Sequence, residues 1–281
     1  MNISFHKSLP ENNLEKYCDL YTRCFQKNEF KIEYLDWLYN KNPDGKYVGI
    51  DCFDKKKLIG QVGGIPYEFF WENKKLKILI SINVCVDKDY RGKRLFNKMA
   101  IEFEKYAEES NYDGIIAIGN KSATPAWIKS IELINLGELD TFLGVGTIKE
   151  ENLNKKQFYF YSCWDNKKLN WRINNPKNKT FIINDNNQIK SVYAITKYPF
   201  IQAYAPLIFH DNKIQISSSN KRKIYPFIFL GKILNLKNKN IIKIPKILKP
   251  SPLNFLYKFF NIKKNLKKNE IFFSFLDFDI F

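Results

Sequence analysis

The sequence predicts an α/β (α+β) fold, a mixed sheet flanked by helices, and three observations carry that reading. Residues 76–118 run strand, turn, helix, strand, an order that makes a crossover unit and sets 80–86 and 114–118 side by side in parallel. Within that run, Leu95, Phe96, Met99, Phe103, Tyr106 and Ala107 recur at three- and four-residue spacings, with Lys98, Glu102, Lys105 and Glu109 away from them. Finally, two segments, 34–67 and 168–200, share one pattern. Each has a Trp (Trp37, Trp171), an Asn-Pro (Asn42-Pro43, Asn175-Pro176), a short strand, a polar turn and a second strand.

Taken in order, the first half reads as helix 13–26, short helix 32–39 and strands 47–53 and 57–66. Pro43 after Asn42 ends the leading helical turn, and the alternation that follows suits a hairpin. A longer strand, 76–86, precedes helix 95–109, which Asn111 and the Asp113-Gly114 pair end. Strand 114–118, helix 123–131 and strand 138–148 complete this half. In the second half, Leu58–Ile65 of the first hairpin finds its counterpart in Ile189–Ile195, but the glycine turn has none. Past Phe209, Pro226, Pro245, Pro250 and Pro252 interrupt the runs, leaving short strands and one helix near 253–260. The shared pattern suggests two similar halves, 1–149 and 150–281, joined at the polar stretch "KEENLNKKQ".

Composition narrows the function. Hydrophobic residues at 44% and aromatics at 16% suffice for a sizeable core, which argues against global disorder. No run of about 18 apolar residues marks a transmembrane helix, and the polar N-terminus lacks a secretory pattern. Cys18, Cys24, Cys52, Cys85 and Cys163 show neither paired nor metal-type spacing, and with only two histidines no metal site is expected. Free thiols in a reducing cytoplasm is the plain reading. The net charge of +17 is uneven: residues 221–268 hold fourteen Lys/Arg and no Asp or Glu. Two alternatives stand for that stretch, a solvated lysine surface or an anionic partner, either a membrane surface or a nucleotide-sugar diphosphate. Nucleic acid is not expected.

The chemical signal lies in "CVDKDYRGKRLFNKM", residues 85–99. A helix N-terminus carries unpaired N–H groups and a partial positive charge, and a glycine turn before it lets those amides converge on an anion. Arg91, Lys93 and Arg94 add cations. The turn fits neither a nucleotide-triphosphate loop nor a dinucleotide fingerprint. A phosphate cradle and a glycine turn with solvated basic residues are the alternatives the residues leave.

"VCVDKDYRGKRLF", the helix after it, "GIIAIGN" and "NKSATPAWIK" together resemble the acetyl-CoA-binding core of the GNAT N-acetyltransferase superfamily, over about residues 20–148. The resemblance implies a GNAT-like, mostly antiparallel sheet, followed by a degenerate second half that shapes the acceptor site. It implies that Val84, Cys85 and Val86 pair with the pantetheine arm as an added strand. Backbone amides of Arg91, Gly92, Lys93, Arg94 and Leu95 would hold the pyrophosphate, and Asn120 would touch the arm again. Two positions depart from the family. Arg94 stands where a second glycine is usual and could place a guanidinium on a phosphate. Trp127 stands where many members carry the tyrosine that reprotonates the leaving thiolate. "NKSATPAWIK" and the Trp–Asn-Pro feature resemble the branch found with bacterial surface-polysaccharide enzymes. The implied activity is acetyl transfer from acetyl-CoA to an amine, an amino sugar or nucleotide-linked amino sugar. The alternatives are an aminoacyl-tRNA-dependent aminoacyltransferase with two such halves, and a non-catalytic binding module.

Transfer to an amine needs the amine deprotonated and the oxyanion stabilised. Glu68 is the first candidate base, against a salt-bridged surface role. Ser81 and Asn83, on the strand leading to the CoA edge, could orient substrate or simply face solvent, and backbone N–H groups near Val84 to Val86 could polarise the carbonyl. Cys85 reads as a buried apolar residue. By strand alternation, Asp277 and Asp279 share one face of the C-terminal "FFSFLDFDIF", as an amine-binding pair or as edge protection. Trp37 and Trp171 read as core packing.

Overall fold

The computed structural model describes residues 2–26, 30–72, 74–146, 159–178, 180–185, 188–207, 226–232, 240–249 and 251–278. The chain runs β1 (Ile3–Lys7), α1 (Pro10–Phe25), α2 (Ile32–Tyr39), β2 (Val48–Asp54), β3 (Lys57–Trp71), β4 (Lys74–Ser81), β5 (Cys85–Val86), α3 (Leu95–Glu109), β6 (Gly114–Gly119), α4 (Ala123–Ile131) and β7 (Ile134–Glu138). It continues with β8 (Asp140–Val145), β9 (Phe160–Ser162), α5 (Asn166–Ile173), β10 (Thr180–Asp185), β11 (Gln188–Ile195), β12 (Gln202–Pro206), β13 (Pro226–Lys232), β14 (Ile241–Lys243), β15 (Asn254–Phe259) and β16 (Phe273–Ser274). Two compact units share these elements. The first comprises Met1–Tyr67, Lys77–Gly137 and Leu253–Lys263; the second comprises Glu68–Leu76, Glu138–Pro252 and Lys264–Phe281.

In the first unit the strand order is β1-β2-β3-β4-β6-β15-β7, with β5 also on β3. The expected crossover is present: β4 and β6 pair in parallel, from Ile78↔Gly114 to Ser81↔Ala117. Helix α3 covers one face. Its Leu95, Met99, Phe103 and Ala107 share a buried cluster with Ile50, Ile59, Leu79 and Ile115, the spacing that made it legible in the sequence.

Residues 254–259 form a strand, not the expected helix. They pair antiparallel with β6, from Asn254↔Gly119 to Phe259↔Gly114. Phe255, Leu256 and Tyr257 are consecutive and all buried, so both faces are covered, which a surface helix could not achieve. Lys258 fixes the strand further by donating to the Ile131 carbonyl at 3.0 Å. The strand expected over 138–148 is present as β8, Asp140–Val145, and an unexpected strand, β7, precedes it; residues 147–148 lie outside the described residues.

In the second unit the strand order is β10-β11-β12-β13-β8-β14, with β16 on β13. Only β12 and β13 pair in parallel among the registers described there. Aromatic rings fill its core: Phe142, Tyr193, Tyr204, Phe227, Phe229 and Phe272.

The two Asn-Pro segments adopt the same local form. Asn42 accepts the Asp44 amide on its side chain at 3.1 Å and the Gly45 amide on its carbonyl at 3.2 Å. Asn175 accepts the Lys177 amide at 2.9 Å and the Asn178 amide at 3.3 Å in the same two ways. Each turn follows a Trp-bearing helix, α2 or α5, and precedes an antiparallel hairpin, β2–β3 or β10–β11. Among the described residues, no helix is long and apolar enough to cross a membrane.

Candidate functional site

The strand expected over 76–86 breaks in the middle. Strand β4 stops at Ser81, whose hydroxyl donates to the Gly63 carbonyl at 3.0 Å. Asn83 then takes a left-handed backbone conformation, φ +53°, which Asn tolerates better than most residues. Val84, half-buried against the core, leads into β5, which pairs with β3 through Gln61↔Cys85 and Gly60↔Val86.

Beyond β5 the turn is anchored by Asp87. Its buried carboxylate accepts Arg23 Nε at 2.9 Å and the Asp89 amide at 3.3 Å, and Lys57 Nζ lies at 3.3 Å. Burial pushes this carboxyl up, but the Arg23, Asp89 and Lys57 contacts outweigh it and hold it below the usual range. Residues Lys88–Tyr90 make one 3-10 turn, and Tyr90 donates to Asp54 at 3.0 Å. Arg91 Nε donates to the Val86 carbonyl at 3.2 Å, and Lys93 Nζ sits 5.1 Å from the Tyr90 ring centroid.

Gly92 has φ +80°, and a methyl group built on it would meet no atom within 4 Å. Glycine is therefore required by the backbone angle alone, and the space over it is open. Arg94, at φ +58°, occupies the N-cap of α3 without a side-chain cap bond, so no cap from that residue meets the amides of the first helical turn. Buried Leu95 pins that turn to the core. A groove of about 450 Å³ opens here, lined by Val86, Arg91, Gly92, Arg94, Leu95 and Lys129 among others. Of the expected CoA-binding residues, Val84, Cys85, Lys93 and Asn120 do not line it.

Asn120 instead organises the start of α4, its Oδ1 accepting the Ser122 amide at 3.1 Å, the Ser122 hydroxyl at 2.9 Å and the Ala123 amide at 2.9 Å. Trp127 is buried and meets the Phe96 ring edge-on at 5.1 Å, so it packs α4 against α3 and offers no hydroxyl.

A buried polar chain, missed by the sequence reading, reaches Asn83 from inside. Asp51, Gln61 and Cys85 occupy successive rungs of β2, β3 and β5. Asp51 accepts the Ser8 hydroxyl at 2.6 Å, the Tyr17 hydroxyl at 2.8 Å and Gln61 Nε2 at 3.1 Å. Gln61 Oε1 accepts the Tyr21 hydroxyl, Tyr21 and Tyr39 hydroxyls lie 2.6 Å apart, and Asn83 Nδ2 donates to Tyr39 Oη at 3.0 Å. The polarity follows. Since Tyr21 gives its proton to Gln61, Tyr39 donates to Tyr21, and Tyr39's oxygen is left to accept from Asn83. Asn83 Oδ1 therefore faces away from the chain, and among the described residues it accepts no hydrogen bond. The only sequence signal was Asp51 and Gln61 standing at inward positions of otherwise apolar strands.

Cys85 is buried, as expected, and as a free thiol it donates a hydrogen bond to Cys24. Burial pushes the Cys85 thiol up, and donation to Cys24 adds to it. That same bond lowers Cys24, with Arg91 and Arg23 assisting against burial and Asp87.

The remaining candidates belong to the second unit. Glu68 ion-pairs with Lys75 at 2.9 Å. Asp277 does not sit on an alternating strand. It closes the 3-10 turn Phe275–Asp277, wholly buried, accepting the Ser162 hydroxyl, the Ser274 amide at 2.7 Å and the Ser274 hydroxyl at 3.3 Å. Burial pushes its carboxyl up despite these donors. Asp279 lies outside the described residues. Among the described residues, no cluster of His, Cys, Asp and Glu could hold a metal ion.

Residues 6–119 match the family model of an acetyltransferase (GNAT) domain. A protein of Amsacta moorei entomopoxvirus described as a candidate glycylpeptide N-tetradecanoyltransferase is 29% identical over 239 residues, spanning 85% of this chain and 67% of that relative. Among solved structures, an N-acyltransferase candidate from Enterococcus faecalis superposes with a TM-score of 0.62 at 9% identity, over 92% of this chain and 73% of that one. A GCN5-related N-acetyltransferase from Anabaena variabilis gives 0.59 at 10% identity, over 92% and 73%. These two likenesses concern the fold alone.

Proposed function

We propose that this chain, whose residues 6–119 match the model of an acetyltransferase (GNAT) domain, moves an acyl group from a CoA thioester onto an amine. The observation that carries this reading is the groove at the start of α3, where an uncapped helix N-terminus, an open Gly92 and the cations Arg91, Arg94 and Lys129 converge. Such a set suits a diphosphate, because oriented amides and guanidinium groups both favour dense negative charge. Amides of residues 91–95 are assigned to the pyrophosphate and the Val84–Val86 edge to the pantetheine arm. Asn120 then acts on the arm through the start of α4.

In the reaction the neutral amine attacks the thioester carbonyl, an N–C bond forms as the C–S bond breaks, and the sulfur leaves as thiolate. The proton shed by the nitrogen passes through water to solvent or to the departing thiolate. A thiol's ordinary pKa, near 8.5, makes that departure tolerable without a dedicated acid, consistent with Trp127 packing rather than donating. Asn83 Oδ1 is the group we assign to orient the amine, with Ser81 holding the strand end beside it. Glu68 and Asp277 are engaged by Lys75 and by Ser162 and Ser274, so we assign them structural roles.

The viral relative favours a fatty acyl donor and a peptide N-terminal glycine as acceptor. The description of the matched family favours the second reading, an acetyl donor; the amino-sugar acceptor expected from the sequence rests on that resemblance only. The Asx turns shared by the two Asn-Pro segments support reading 150–281 as a degenerate second half. Thiol release decides among these readings. Tetradecanoyl-CoA and acetyl-CoA are each offered with a glycyl peptide and with an amino sugar. We expect amine-dependent release with tetradecanoyl-CoA and the peptide. Release from neither thioester overturns the proposal.

A further inference from the structure

None of the described residues of the lysine-rich stretch lines the groove, and residues 240–249 form a surface of their own. Residues 240–249 read "NIIKIPKILK", three lysines and five aliphatic side chains without an acid. In the second unit, β14 pairs with β8 so that Ile242 lies directly opposite Leu143. Val145, two residues on, shares Leu143's face. A 3-10 turn, Lys246–Leu248, follows β14. Ile247 is 90% exposed, Ile242 and Leu248 are each 71% exposed, and Leu143 and Val145 also reach solvent. An aliphatic surface of this kind on an exposed edge and turn is costly to leave in water.

Lysines rim it. Lys243 Nζ is 2.5 Å from Asp140, and Lys246 and Lys249 stand 3.7 Å and 3.9 Å from Glu138. Three ammonium groups against two carboxylates leave the rim positive, and the Lys246 side chain is 81% exposed. Protein interfaces favour aromatic residues and arginine and are poor in lysine. This patch has the opposite composition, aliphatic tips beside lysine, which suits shallow insertion among anionic headgroups.

We propose that Ile242, Ile247 and Leu248, rimmed by Lys243, Lys246 and Lys249, dock the protein on an anionic lipid surface. This surface is independent of the acyl-transfer reading, because lipid binding is measured without a reaction.

Flotation of the full chain with vesicles tests it. Phosphatidylcholine vesicles with and without phosphatidylserine are compared at low and high salt. Binding should require the anionic lipid and fall with salt. The double variant Ile247→Asp, Leu248→Asp should lower it about tenfold or more, while its thermal melt stays at the parent value. Lys246→Glu, which removes no apolar group, should weaken binding and flatten the salt dependence. Equal binding to neutral vesicles, no binding at low salt, or full binding by both variants overturns the proposal. So does a concentration-dependent dimer in light scattering that the double variant abolishes, since the patch would then serve self-association.

Discussion

Asn83 Nδ2 donates to the Tyr39 hydroxyl at 3.0 Å, so the break between β4 and β5 is tied to the buried carboxylate of Asp51 through Tyr39, Tyr21 and Gln61. Tyr39→Phe keeps the ring and removes the hydroxyl that both serves Asn83 and donates to Tyr21. We expect a loss of about 1–3 kcal/mol in stability, the cost of leaving buried polar groups unmatched. We also expect kcat to fall while CoA affinity is unchanged, because the Asn83 amide is then free to turn. A variant with reduced stability and an unaltered kcat would confine the chain to a structural role.

At the turn, Arg94 holds φ +58° without a cap bond. Arg94→Gly relieves a left-handed residue of roughly 1 kcal/mol of strain, offset in part by glycine's extra freedom when unfolded. Melting temperature should hold or rise slightly while affinity for CoA falls several-fold, as measured by calorimetry. Unchanged affinity would remove the guanidinium from the diphosphate site.

How much of this was legible in the sequence depends on the range of the interactions concerned. Helices α2 and α3 end where their periodicity ends, because local spacing and flanking residues decide both. The parallel β4–β6 pair followed from strand, helix, strand order. The turn at Gly92 was legible as well, since glycine among cations before a helix is a local pattern. Strand β15 was not: a short run carrying Phe255, Leu256, Tyr257 and Phe259 fits a buried helix or strand equally, and only its place beside β6 decides. Asp277 failed for a similar reason. Alternation suggested one face of a strand, whereas Ser162, over a hundred residues away, draws its carboxylate into the core. The Asp51–Asn83 chain joins four separate elements, and no local pattern could announce it.

Acid should act through Asp87. Its folded pKa lies below the unfolded value of about 3.9, so the stability it contributes is complete above that value and is lost as pH falls through the folded one. Melting temperature should therefore drop steeply below about pH 4. Asp87→Asn, which weakens the Arg23 and Lys57 contacts, should cost about 1–3 kcal/mol at neutral pH and flatten that acid limb. An acid limb as steep in the variant as in the parent would assign the effect to other carboxylates.

The thiols should also separate. Cys24 is lowered by its bond from Cys85, whereas burial and then Asp19 and Glu33 push Cys18 up. Limiting N-ethylmaleimide at neutral pH should label Cys24 ahead of Cys18 and ahead of the buried Cys52 and Cys85. Peptide mapping that finds Cys18 labelled ahead of Cys24 contradicts the assigned bond.

Hydrogen exchange at the amides of residues 92–97, with and without a CoA thioester, addresses the central claim most directly. Gripping of the diphosphate by the uncapped first turn of α3 should slow exchange at these positions well beyond any change elsewhere. Exchange there unaltered at saturating thioester, or protection confined to other segments, contradicts the account.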